Sequence, residues 1–146
     1  MYATTLSSDQ KTLAYLEPPT KFQTGFRNFP ALAGLEASVR YLLRIGPGNI
    51  RSMNLKVANT LRTELEKISG IKLYGPEDEN LRTSIVSFSS AEVDSKTITD
   101  KLEEGEVIFA ERNVGSGRKA VRASPHFFNS EAEVMRAVDQ LKSIVR

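Results

Sequence analysis

From Ile71 onward, short β-branched and aromatic runs alternate with amphipathic helical segments, and this alternation constrains the fold more than any other feature. The runs are "IKLYGP" at 71–76, "RTSIVSFSS" at 82–90, "EVIFAER" at 106–112 and "RKAVRAS" at 118–124, the last two joined by "NVGSG". Branched and aromatic side chains pack well on a pleated surface, and Gly75 with Pro76 punctuates the first run, so each predicts a strand. "SKTITDKLEE" at 95–104 predicts a short helix ended by Gly105. Ser130 with Glu133 three residues on is a capping box, and Val134, Ala137, Val138, Leu141 and Ile144 continue from it at helical spacing.

Two more helices precede these elements. Pro30 suits a first helical turn, with Leu32, Leu35, Val39 and Leu42 or Leu43 on one face, and Gly46 with Pro47 closes the segment. A second helix is predicted from about Asn49 to Ser69, carrying Leu55, Ala58, Leu61, Leu65 and Ile68 on its apolar face. The order helix, helix, strand, strand, helix, strand, strand, helix predicts an α+β fold: a mostly antiparallel sheet of three to four strands with helices packed on one face. Residues 1–29, dense in Pro, Gly, Thr and Asn around "LEPPTKFQTGFRNFP", predict an extended N-terminal arm, and residues 30–146 a single α+β domain.

Composition narrows the chemistry. The chain has no cysteine and a single histidine, His126, so disulfides, thiolate metal sites and a cysteine nucleophile are excluded and no metal site is expected. Its 20 basic and 18 acidic residues are scattered along the chain, with no basic stripe built to follow nucleic-acid phosphates. No apolar run is long enough to span a membrane, and "MYATTLSSDQ" lacks the pattern of a secretory signal, so a cytoplasmic chain is expected. "GSGRK" at 115–119 has glycines beside basic residues but precedes a strand, so a hairpin turn accounts for it better than a phosphate loop. The paired acids at Glu103–Glu104, Glu77–Glu79 and Glu131–Glu133 fall in turns and first helical turns, where a solvated role accounts for them.

The densest polar constellation is "VRASPHFFN", which places Arg122, Ser124, His126 and Asn129 within eight positions. An arginine between Val121 and Ala123 on a strand is costly to bury without an anion, and its planar fork matches a carboxylate. A partly exposed arginine laying its stem along the sheet fits the same pattern, so the residues alone leave both readings open. His126 after Pro125 reads as a turn histidine, and Asn129 before Ser130 as part of the helix cap.

"FQTGFRNFPALAGLEASVRYLLRIGPGNI", "GIKLYGP", "RTSIVSF" and "VRASPHFFNSEAEV" occur in an order that resembles the C-terminal end of class V aminotransferase-like proteins. These are pyridoxal-phosphate (PLP) enzymes of fold type I, a group that includes isopenicillin N epimerase-like proteins and cysteine desulfurases. The resemblance covers roughly residues 16 to 146, with Arg-x-Ser-x-His-x-x-Asn before a capped helix as its most specific motif. It implies that Arg122 grips the substrate α-carboxylate, with Ser124, His126 and Asn129 bracing the corner, and that Gly25 and Asn28 approach the cofactor phosphate across a homodimer. The family has threonine after that glycine; here Phe26 supplies no hydroxyl.

The resemblance also implies a large domain carrying the Schiff-base lysine, and no lysine here stands in a segment like the family's cofactor-lysine motif. The expected function is therefore the substrate-binding C-terminal part of a class V aminotransferase- or epimerase-like enzyme acting on an amino acid. PLP would be held by a partner domain or second subunit, and this chain alone would be silent. The lack of cysteine favours the aminotransferase or epimerase branch over desulfurases. The alternative is an inactive stand-alone interaction module derived from such an enzyme.

Overall fold

The computed structural model describes residues 4–6, 11–23, 25–115 and 117–145. The chain divides into two compact units, residues 1–44 and 45–146.

In the first unit, β1 (Thr4–Leu6) pairs antiparallel with β2 (Leu13–Tyr15) in the register Thr4 to Tyr15. The extended arm expected for residues 1–29 therefore contains a two-stranded sheet, followed by a 3-10 turn at Thr20–Phe22. Helix α1 (Phe29–Ile45) forms where the leucine spacing predicts it. Its apolar residues are not covered: Leu32, Leu35, Val39 and Leu42 are all exposed.

The second unit holds the core. Pro47 begins helix α2 (Pro47–Glu66), where its missing N–H removes no helical hydrogen bond. Gly46 before it has φ +91°, a conformation strained for any residue with a Cβ. A four-stranded antiparallel sheet follows, made of β3 (Ile71–Tyr74), β4 (Val86–Ser90), β5 (Ala110–Asn113) and β6 (Lys119–Ala123). The strand order is β3-β4-β6-β5, so β4 lies beside β6, and β5 forms an edge. Helices α3 (Ser95–Glu104) and α4 (Glu131–Ile144) join α2 on one face, as the element order predicts.

Pleating fixes which side chains share a face, because directly opposed residues in an antiparallel ladder point the same way. Leu73, Phe88 and Val121 stand in one cross-strand row and Val86 opposes Ala123, all toward the helices. Phe88, Leu65, Ile98, Leu102 and Leu141 are essentially inaccessible to solvent. Each fully buried side chain of this size contributes roughly 1.5–3 kcal/mol, so this layer dominates the stability of the unit.

Two strands are shorter than the apolar runs suggest. β4 starts at Val86 and leaves Ile85 49% exposed, because Arg82 donates to the carbonyls of Pro76 (3.0 Å) and Glu77 (2.6 Å) and holds the preceding segment in a loop. β5 starts at Ala110, not Glu106, because the Val107 N–H donates to the Leu102 carbonyl at the end of α3 (2.9 Å). Glu106 itself has φ +63°, which turns the chain away from β6 until Ala110 opposes Arg122. At the other end of β5, the Val114 N–H donates to the Arg118 carbonyl (2.9 Å), and Gly115 and Gly117 take positive φ. The glycines of "GSGRK" thus serve a hairpin turn.

Among the described residues, no helix is long and apolar enough to cross a membrane.

Candidate functional site

Arg122 sits on β6, the central strand that pairs with β4 on one side and β5 on the other, opposite Ser87 and Ala110. Val121 and Ala123 on either side point into the core, which anchors the strand and sends Arg122 to the sheet's other face. The residue is half-buried. Its Nε is shielded from solvent and has no hydrogen-bond partner. A buried donor without an acceptor costs about 1–3 kcal/mol, so an acceptor brought to this nitrogen would be favoured.

β6 then ends in a tight corner. The His126 N–H donates to Asn129 Oδ1 (2.9 Å), and the Asn129 N–H donates back to the His126 carbonyl (2.8 Å). Ser130 follows as the cap of α4: the Glu133 N–H donates to Ser130 Oγ (3.2 Å), and the Ser130 N–H donates to Glu133 Oε2 (2.6 Å). These bonds, the Ser130 N–H first, hold the Glu133 carboxyl below the usual carboxylate range. Asn129 therefore closes the corner while Ser130 performs the capping.

A cavity of about 430 Å³ lies where residues 106–109 diverge from the end of β6. Glu106 and Phe109 line one wall, Arg122 and Ser124 another, and Glu133 and Arg136 of α4 complete it. Arg136 is already engaged, donating to the Gly105 carbonyl (2.8 Å) and to Glu106 (3.1 Å). Arg122 borders this cavity from β6, while its side chain, on the sheet's other face, keeps a buried donor without a partner. Glu106 and Arg136 were not singled out from the sequence; the spacing of Arg136 three residues after Glu133 was the available signal.

The cavity gathers Arg122, Ser124 and Asn129. His126 stands one step away, its ring packed against Phe127 (4.7 Å between centroids) and Phe128 (5.1 Å), with Nδ1 buried and unpartnered. Gly25 and Asn28 belong to the other unit. Asn28 Oδ1 accepts from the Ala31 N–H (3.0 Å) as a cap on α1, and a Cβ on Gly25 would meet nothing within 4 Å. Phe26 is 91% exposed and stacks edge-on against Phe29 (5.7 Å). No metal-holding cluster occurs among the described residues.

A family model for class V aminotransferases matches residues 2–137. The chain belongs to that family. Among curated relatives, a probable cysteine desulfurase of Methanothermobacter thermautotrophicus is 28% identical over 138 residues, covering 86% of this chain and 34% of the relative. A probable cysteine desulfurase of Xylella fastidiosa is 30% identical over 135 residues, covering 87% and 32%. The chain thus spans about a third of the length of these relatives. Among solved structures, a cysteine desulfurase from Thermococcus onnurineus superposes with a TM-score of 0.80 at 24% identity, over 99% of this chain and 37% of the other. One from Escherichia coli gives 0.79 at 19% identity, over 96% and 36%. Both show the same fold. The relatives carry the desulfurase name, whereas the absence of cysteine had pointed to the aminotransferase or epimerase branch.

The residues gathered here do not suit PLP by themselves. No lysine lines the cavity, so it offers no amine for the cofactor's aldehyde. Beside Glu106 and Glu133, the site offers a guanidinium, a hydroxyl and an amide, groups that can hydrogen-bond a carboxylate.

Proposed function

We propose that this chain supplies the substrate-binding part of a class V PLP-dependent enzyme acting on an amino acid, with Arg122 taking the substrate's α-carboxylate. The observation that carries this reading is the buried, unpartnered Nε of Arg122, whose side chain stands on the sheet face away from the helices. A carboxylate oxygen would satisfy that donor and neutralise the guanidinium in one contact. Ser124 adds a hydroxyl beside it, and the His126–Asn129 corner fixes the direction in which the strand ends. PLP, when bound, supplies the electron sink. It would be held by a lysine-bearing partner domain or second subunit, with Gly25 and Asn28 placed toward its phosphate in a dimer.

The test uses the nitrogen itself. In the ¹⁵N-labelled chain, the Arg122 Nε–H resonance should shift on titration with L-alanine and stay fixed with ethylamine, which lacks the carboxylate. Arg122→Lys should abolish the binding while leaving the unfolding temperature near wild type. A variant whose main loss is thermal stability would make the arginine structural and end this reading.

The exposed apolar face of α1 favours a second reading, an inactive interaction module derived from such an enzyme. Such a module would leave the Arg122 resonance unmoved by any amino acid.

A further inference from the structure

The face of the sheet turned away from the helices has a composition that the substrate-carboxylate role alone does not require. One cross-strand row runs Tyr74, Ser87, Arg122, Ala110, and the adjoining row carries Lys72, Ser89, Ala120 and Arg112. Tyr74 Oη lies 3.0 Å from Ser89 Oγ, and Lys72 Nζ stands 5.7 Å from the Tyr74 ring centroid, which confirms that the two rows share a face. Lys72, Arg112 and Arg122 are its charged residues, and no carboxylate occupies any of these eight positions. The chain has 18 acidic residues and a net charge of only +2, so this segregation is local. The acid of this part of the sheet, Glu111, points to the helix face, where it pairs with Lys119 at 2.5 Å.

Arg112 and Arg122 occupy diagonal positions on adjacent strands, so their Cα atoms stand about 7–8 Å apart, within reach of one small ligand for side chains this long. Arg112 Nη1 donates only to the neighbouring Glu111 carbonyl (2.7 Å), and no ion pair joins it to an acid among the described residues. Between the cations the floor is low, made of Ser87, Ser89 and Ala120. Like charges gathered on one face of a sheet repel unless an anion sits among them.

We infer that Arg112 forms a second carboxylate subsite, and that the enzyme's substrate is an acidic amino acid such as glutamate or aspartate. This rests on the proposed role of Arg122, which takes the α-carboxylate while Arg112 takes the side-chain carboxylate. Arg112 is then a specificity-determining residue. Lys72, on the far edge strand, adds field without contact.

The experiment titrates the labelled full chain with L-glutamate, L-glutamine and L-alanine, following the Nε–H resonances of both arginines. Alanine should move Arg122 alone. Glutamate should move both and bind about tenfold more tightly than glutamine or alanine, the ratio one charge-assisted hydrogen bond confers. Arg112→Gln, on an exposed edge strand, should bring glutamate down to the level of alanine and leave alanine binding unchanged. Equal affinities for glutamate and alanine, or an unchanged ratio in Arg112→Gln, overturn the second subsite while Arg122 keeps its role. If no amino acid moves Arg122, the substrate-carboxylate reading has failed and the second subsite goes with it.

Discussion

Replacing Arg122 with methionine should make this protein more stable. The guanidinium lies half-buried on the central strand pair with its Nε shielded and unbonded. Leaving a buried donor unsatisfied costs about 1–3 kcal/mol. Methionine keeps most of the aliphatic stem and removes the polar atoms, so the lost packing is small. A net gain of about 1 kcal/mol moves the midpoint of a unit the size of residues 45–146 by roughly 4–8 °C. Thermal unfolding followed by far-ultraviolet circular dichroism measures this directly, without substrate, in wild type and Arg122→Met. Millimolar amino acid should then raise the wild-type midpoint, since a ligand that binds only the folded state stabilises it by mass action, and leave the variant unmoved. A lower midpoint for Arg122→Met would refute the reasoning, because it would mean that the guanidinium is already paired in the folded chain.

Leu65→Ala should cost the second unit about 2–5 kcal/mol, since Leu65 is fully buried in the core; urea denaturation with an unchanged slope would report it. Ser130→Ala should cost about 1 kcal/mol by removing the acceptor for the Glu133 N–H. The same cap sets a pH response. The Glu133 carboxyl titrates below its unfolded value, so the stability it contributes is fully present above the ordinary glutamate range and is lost as the pH falls through its depressed folded value. A carboxyl-detected titration placing Glu133 at or above the ordinary range would contradict the capping geometry.

Much of the second unit was legible in the sequence for a local reason. The leucine spacing of α2 and the capping box of α4 act over a few residues, and the branched runs at 71–74, 86–90 and 119–123 need only their own alternation to declare a strand. The corner from His126 to Asn129 was equally readable, because the two residues are joined by bonds three positions apart. The hairpin at Thr4–Leu6 and Leu13–Tyr15 is not legible in the sequence, since its strands are three residues long and exposed, with no apolar alternation to mark them.

Tertiary structure decided the rest. "EVIFAER" is strand-like throughout, yet only its end joins the sheet, because the bond from Val107 to Leu102 at the end of α3 and the left-handed turn at Glu106 pull its first half away and open the cavity. The meeting of Lys72, Arg112 and Arg122 on one face depends on register and on β4 pairing with β6. A shift of one residue on any strand would send its cation to the helix side. Local spacing determined which segments are helices and strands in the core; long-range pairing alone determined which charges they present together.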